Sequence, residues 1–275
     1  MVSIIVLSSD GYDDCWNPFF DLFAKNFPEA GNHEIILSTN SKEYHHDKLE
    51  IKVIRHGLIP WSKRFRDSVL QAKHDTIFML VEDDFLRSPM DSEKFNEFVE
   101  LLESNPKIDH IRLLSTFERT KMTSKTIGIL EEVAPKTKLR LTYLPGLWKK
   151  DVLLKYLVDY ESPFMAEKIA DWKSWLYNDG FYAVSRAYVD LHGQFYDGMA
   201  SGGIFRGKWA DWVAPFFKEN NIDMDYEIRG FATDEFRSTT RLKSRIDLMK
   251  HPITTLRSFS SLLMVYLKVK ILKLK

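Results

Sequence analysis

The stretch Thr76 to Arg87, TIFMLVEDDFLR, decides the fold. Thr76 to Val81 is almost wholly apolar and rich in strand formers. It predicts a strand buried on both faces, as in a parallel sheet. Glu82, Asp83 and Asp84 follow at once. Acids at the carboxyl end of such a strand lie where open α/β sheets place their ligands. Three adjacent carboxylates repel one another, so the pattern asks for a compensating cation. A divalent metal with oxygen ligands, itself carrying substrate phosphates, meets that need. The other reading of the same spacing is a solvated acidic turn beside a neighbouring helix.

Working outward, the pattern repeats on both sides. Val2 to Leu7 is a β-branched run that predicts a first buried strand, closed by the polar turn SSDGYDD. Trp16, Phe19, Phe20, Phe23 and Phe27 follow at helical spacing, an aromatic stripe that reads as core packing. Glu34–Thr39 and Ile51–His56 predict two more strands. Trp61, Phe65, Val69 and Ala72 form the apolar face of a helix that leads directly into Thr76. Arg64 on that helix is placed to contact a diphosphate, or else to pair with Asp67 in solvent. Alternating strands and helices with polar turns after the strands make the front half of a nucleotide-binding α/β unit.

Downstream, Asp91-Ser92 starts a helix that ends near Asn105-Pro106, and Ile108–Leu114 predicts a strand. Ser115–Lys138 is polar and reads as a mobile connection or an acceptor-side loop. Leu139–Leu144 is strand-like, and Pro145-Gly146 turns the chain into a short helix. Ser162-Pro163 is a helix start with Ser as cap. It places Glu167 and Asp171 four apart on one face, near Trp172 and Trp175. Phe181–Ser185 is a late strand, and the glycines between Phe195 and Trp209 suggest hairpins. His192 is a lone histidine, open to a metal-ligand reading or a structural one.

The composition bounds the class. The 275 residues are 44% hydrophobic and 28% charged, enough for one large α/β domain or two small ones. Formal net charge is zero, but residues 241–275 hold nine Lys/Arg and one Asp, while the rest holds 30 Lys/Arg against 38 Asp/Glu. An acidic body with a basic tail argues against a general nucleic-acid binder and points the tail at an anionic surface. Cys15 is the single cysteine, which leaves no internal disulfide and fits a reducing compartment. MVSIIVLSS has no basic region and its apolar run is short for a signal peptide. No apolar stretch approaches the roughly 20 residues that span a bilayer. The expectation is a cytoplasmic protein. Its tail mixes Leu262, Leu263, Met264, Val265 and Leu267 with Lys268, Lys270, Lys273 and Lys275. It reads either as a basic helix lying on the inner membrane face, or as a packed terminal helix or oligomer contact.

Several segments together resemble bacterial glycosyltransferases of the GT-A fold that act in surface-polysaccharide biosynthesis. They are SSDGYDDCWNPFF after the first strand, the helix opening WSKR, the strand closing in VEDDF, and the later pieces LPGLWKK, SPFMAEK and GGIFRGKW. The resemblance covers roughly residues 2 to 231, and VEDDF is its most specific part. The acids here read Glu-Asp-Asp and not Asp-x-Asp. The resemblance implies a Rossmann-like, mostly parallel central sheet with flanking helices over residues 1–245. The nucleotide-sugar half would be about 1–115 and the acceptor half about 116–245, with a basic amphipathic tail at 246–275. It also implies a transferase that moves a sugar from a nucleotide-sugar donor to a glycan or lipid-linked saccharide acceptor, with inversion and with Mn2+ or Mg2+. By the same resemblance Asp84 is the metal ligand, with Glu82 and Asp83 nearer the ribose and base. Ser9, Asp10 and Tyr12 line the nucleoside pocket, and Arg64 faces the nucleotide. Glu167 is the base that takes the acceptor proton, with Asp171 as runner-up, and Trp148 is a sugar platform. An ordinary helix-face acid at Glu167 and core packing at Trp148 stand beside those roles.

Two other functions fit the same reading. One is a non-catalytic carbohydrate- or partner-binding module on this fold. The other is a nucleotidyltransferase, which normally carries a basic glycine-rich loop after the first strand, whereas SSDGYDDC has no Lys or Arg.

Overall fold

The computed structural model describes residues 1–116, 118–234 and 252–271. Among these residues nine strands form one sheet in the order β3-β2-β1-β4-β8-β5-β9-β7-β6. β1 (Ser3–Leu7), β2 (Glu34–Thr39), β3 (Ile51–Arg55) and β4 (Thr76–Val81) are mutually parallel, with Ile5 beside Met79 and Ile36 across β1. β5 (His110–Arg112) and β9 (Phe181–Val184) are parallel to each other, and β8 (Gly146–Lys149) runs antiparallel between β4 and β5. This is the Rossmann-like, mostly parallel sheet expected from the sequence.

Strand alternation builds two cores, because successive side chains leave opposite faces. Ile4 and Val6 of β1 with Phe78 and Leu80 of β4 join the aromatic stripe of α1 (Trp16–Asn26) and the apolar face of α3 (Ser92–Ser104). Phe19 stacks on Phe23 and Phe23 meets Phe27 edge-on, with ring centroids 5.6 Å apart at each step. On the other face Ile5, Leu7, Ile77 and Met79 meet α2 (Trp61–Gln71), α4 (Lys150–Tyr156) and α5 (Pro163–Ser174). Helices thus cover both sheet faces, and β4 is buried along nearly its whole length. The helix starts follow the capping residues: Asp91 accepts the Lys94 N–H at 2.9 Å, and Ser162 caps α5 through the Met165 N–H.

Two expectations need correction. Ser115–Lys138 is not a bare connection: β6 (Met122–Ile127) and β7 (Leu130–Val133) form a hairpin on the sheet edge, with β7 paired to β9. Its outer strand is mostly half-buried or exposed, so it lacks the apolar alternation that marks a strand. Leu139–Leu144 is irregular backbone, and the strand lies after the Pro145-Gly146 turn as β8. Gly146 is required there, since a Cβ would meet the His110 ring at 2.6 Å.

The remaining elements are α6 (Arg186–His192), the short hairpin β10 (Ile204–Phe205) and β11 (Lys208–Trp209), and α7 (Val213–Glu219). α8 (Pro252–Tyr266) follows, continued by a π-type turn at Leu267–Ile271. α8 packs on α5: the Phe259 ring lies 5.8 Å from Trp172, and the Arg257 guanidinium sits 4.2 Å over Tyr160. Lys273 and Lys275 of the expected tail lie outside the described residues. No helix among the described residues is long and apolar enough to cross a membrane.

Candidate active site

A cleft of about 360 Å³ opens at the carboxyl ends of β1 and β4. Ser8, Ser9 and Tyr12 line it from the turn after β1, and Arg64 from α2. Glu82 and Asp83 line it from the end of β4, and Glu167 from α5. Six sequence-predicted site residues, Ser9, Tyr12, Arg64, Glu82, Asp83 and Glu167, therefore share one concavity. The topology explains why. Parallel neighbours β1 and β4 end side by side, and α2 and α5 pack on the same sheet face beneath them.

The acids divide sharply. Asp84 does not reach the cleft. The chain turns tightly after Val81: the Asp84 N–H donates to the Val81 carbonyl, and the Asp84 carboxylate accepts the Val81 N–H at 3.1 Å. That carboxylate is buried beneath the turn, and the Asp84 carbonyl accepts the Tyr196 hydroxyl. The carboxylates at the cleft are those of Glu82 and Asp83. Burial pushes Asp83 up to about 6, against backbone N–H groups at Ile204 and Gly203 that pull it down. Burial and the neighbouring Asp83 charge push Glu82 well above the usual range.

Asp83 is fixed by the glycine pair. Its Oδ2 accepts the Ile204 N–H at 2.9 Å, and its carbonyl accepts the Gly203 N–H at 2.9 Å. A Cβ on Gly202 (φ +68°) would lie 2.2 Å from Asp83 Oδ2, and one on Gly203 would lie 2.4 Å from the Phe85 ring. Only glycine lets this loop close on the end of β4.

Arg64 is buried, not solvated. It donates to the Ser8 carbonyl, and its Nε has no partner among the described residues. Asp67, its suggested partner, pairs with Lys63 at 3.1 Å instead. Burial lowers the Arg64 pKa, and the charges of Glu82 and Asp10 oppose that shift. Asp10 does not line the cleft. Its carboxylate accepts the N–H groups of Asn40 at 2.9 Å and Ser41 at 3.0 Å, and the Ser41 hydroxyl at 2.5 Å. Burial raises the Asp10 pKa, but these hydrogen bonds outweigh it and bring the group to about 2. Asp10 thus ties the turn after β1 to the turn after β2.

Glu167 is half-buried. Burial raises its pKa, opposed by the Tyr143 backbone N–H and by Arg112. Asp171, one turn on, is committed to the backbone: it accepts the N–H groups of Leu139 at 3.3 Å and Leu141 at 3.1 Å. It holds a wall in place, and it lines the neighbouring cavity and not this cleft. Trp148 is a correction too. It is fully buried on β8, stacked on His110 at 3.8 Å and edge-on to Phe181, far from any role as a sugar platform. His192 ends α6 against Tyr188, exposed and outside the cleft.

Some cleft residues were not singled out as site residues by the sequence. Tyr143 comes from the irregular segment before β8, and Phe164 from the first turn of α5. Arg229 bonds Asp14 at 2.6 Å and lies 4.8 Å over the Tyr12 ring, bracing the turn that presents Tyr12.

Hard oxygen donors at Glu82 and Asp83 suit Mg2+ or Mn2+. Among the described residues no three His, Cys, Asp or Glu side chains converge as a closed metal cage. An ion shared with substrate phosphates needs one or two protein carboxylates, and Glu82 with Asp83 fits that form.

No protein-family model and no curated protein matches the chain. Among solved structures it is similar to S. aureus TarS 1–349 in complex with UDP, at 14% identity and TM-score 0.48, over 68% of this chain and 58% of that one. It is also similar to a cytidylyltransferase from Leptospira borgpetersenii serovar Hardjo-bovis, at 13% identity and TM-score 0.41, over 67% and 76%. A UDP-glucose pyrophosphorylase complexed with UDP-glucose is 9% identical with TM-score 0.44, over 67% and 90%. The chain spans 38% of the TarS chain that covers most of it.

Proposed function

We propose that the chain is a glycosyltransferase that binds a nucleotide-sugar donor in this cleft with a divalent cation. One observation carries the reading. Glu82 and Asp83 at the end of β4, and Arg64 on the helix that leads into it, share a cleft with a desolvated Glu167 from a different helix. A diphosphate leaving group needs its charge neutralised, and an acceptor hydroxyl needs a base; both sets are present here.

When bound, Mn2+ or Mg2+ supplies charge neutralisation on the diphosphate, with Glu82 and Asp83 as its protein ligands. Arg64 adds a fixed positive charge, held by the Ser8 carbonyl. Ser9 and Tyr12 receive the nucleoside at the end of β1. Glu167 takes the proton as the acceptor oxygen bonds to the anomeric carbon; the bond from that carbon to the phosphate oxygen breaks, and the nucleoside diphosphate leaves. Attack from the face opposite the leaving group inverts the anomeric centre. The raised pKa of Glu167 suits a base working near neutral pH.

The site is expected to work at an anionic membrane surface of the cytoplasm. Residues 252–271 contain Arg257, Lys268 and Lys270 and no acid, and Ile253, Leu256, Leu263, Met264 and Ile271 are exposed. An exposed apolar row edged by cations suits a helix that lies in a lipid interface.

The test is melting temperature with UDP, GDP, CDP and dTDP, each with and without Mn2+. A metal-dependent rise with one of them supports the reading. Indifference to all four overturns it in favour of a binding module.

A further inference from the structure

A second cavity, of about 790 Å³, meets the first at Glu167 and Phe164, which line both. We infer that this groove seats the acceptor, and that the acceptor is a saccharide carrying a phosphate. The inference rests on Glu167 as the base and names the acceptor's class.

Two kinds of side chain carry it. Trp172 and Trp175 line the groove, and the Trp175 indole N–H is fixed at 2.9 Å on the Thr137 carbonyl. Half-buried aromatic rings offer apolar faces of the kind that sugar C–H groups cover. Arg119, Lys138 and Lys168 border the same space. None of the three forms an ion pair with a carboxylate among the described residues, and the Lys168 ammonium lies 5.1 Å from the Trp172 ring. Of the acids that line the groove, Asp171 is already engaged. Asp171 is spent on the Leu139 and Leu141 N–H groups. Glu167 and Asp171 feel the positive charge of the buried Arg112 behind them, which hydrogen-bonds to the backbone and not to either carboxylate. Glu118 and Glu167 are the other acids that line it. With Asp171 held by backbone N–H groups, three cations without a carboxylate partner among the described residues face Glu118 and Glu167, and the cations Arg119 and Lys138 stand ready for an anion.

The wall that presents Lys138 is built, not loose. Lys136 (φ 60°) and Leu139 (φ 55°) flank it in the left-handed region, which is costly for side chains of this size. The surroundings hold that shape from both sides. Asp171 takes the N–H groups, and Arg112 donates to the carbonyls of Leu139 at 2.6 Å and Arg140 at 3.0 Å. Such over-determined backbone clusters at ligand sites.

The experiment measures binding by calorimetry on the full chain saturated with UDP and Mn2+. The probes are glucose, galactose and N-acetylglucosamine, the 1-phosphate of each, and the decyl-diphosphate form of each. At least one sugar phosphate should bind about tenfold or more above its free sugar. The double variant Arg119→Ala, Lys138→Ala should erase that preference while leaving UDP affinity unchanged. A further gain with a decyl-diphosphate probe assigns the phosphate to a lipid-linked saccharide, and no gain assigns it to a soluble chain; either result supports the inference. Equal binding of sugars and sugar phosphates, or a preference that survives the double variant, overturns it. Failure of UDP to bind the wild-type chain is read separately, and condemns the donor cleft and not the groove's anion preference.

Discussion

The Asp83 carboxylate accepts the Ile204 N–H at 2.9 Å, so the end of the central strand is tied to a loop 121 positions further on. Gly202 makes that approach possible, since a Cβ there would lie 2.2 Å from Asp83 Oδ2. Gly202→Ala should cost more than about 1 kcal/mol, because both the space and the positive φ refuse it. Thermal unfolding would record this as a fall of a few degrees, and Mn2+-dependent stabilisation by nucleotide should vanish with it. A variant that keeps full metal-dependent stabilisation would show that the glycine loop does not position Asp83.

Asp83 and Asp84 should separate cleanly. Asp83→Asn removes a charge at the cleft and should lower transfer about a hundredfold or more. Asp84→Ala leaves the Val81 N–H unpaired beneath the turn, which should cost about 1–3 kcal/mol of stability, with nucleotide affinity unchanged. The reverse outcome would return the metal to Asp84.

Metal binding should depend on pH with a defined sign. Burial pushes Asp83 up to about 6 from its ordinary 3.8. The folded protein therefore holds that proton more tightly than the unfolded chain, and the free protein loses stability as pH rises from 3.8 to about 6. A cation binds the carboxylate and competes with the proton. The rise in melting temperature given by Mn2+ with nucleotide should grow as pH climbs through about 6, with the raised Glu82 carboxyl pushing in the same direction, and shrink below it. A pH-independent rise would place the ion elsewhere.

Asp10 has the opposite sign. Its pKa is held at about 2, so its contribution is full above 3.8 and is lost as pH falls through about 2. Asp10→Ala should destabilise the protein at pH 7 by about 2 kcal/mol through the lost hydrogen bonds to Asn40 and Ser41. It should also weaken nucleotide binding, because the turn that carries Tyr12 is no longer tied down. Chemical denaturation with a nucleotide titration reads both.

The tail is tested by sedimentation with anionic vesicles. Replacing exposed Leu256 and Leu263 with Ser should release the protein from vesicles while its melting temperature holds, since neither side chain is part of the core. Retained sedimentation would remove the interfacial role of α8.

The strongest sequence signals were the ones set by local chemistry. A doubly buried strand needs an unbroken apolar run, and Thr76–Val81 has one. A helix needs its cap, and Ser162 and Asp91 stand where caps are required. The cleft was legible because acids and polar turns end those strands, and Arg64 sits on the helix between them. What escaped depends on geometry that no short stretch encodes. Glu82, Asp83 and Asp84 look equivalent in a row, and only the tight turn after Val81 sends Asp84 inward. Trp148 follows Pro-Gly, which suggests a surface turn, yet the chain re-enters the sheet there as an antiparallel strand. The β6–β7 hairpin buries too little of itself to show alternation. Arg229 reaches Asp14 across 215 positions, and nothing near either residue announces the other.

Glu167 is the boundary that both cavities share, so on the proposed reading whatever fills either one bears on the same carboxylate. With the groove vacant, the side chain that should meet a hydroxyl meets bulk solvent. On that reading a loaded donor should then be open to wasteful hydrolysis, and a seated acceptor should suppress that leak simply by taking the water's place.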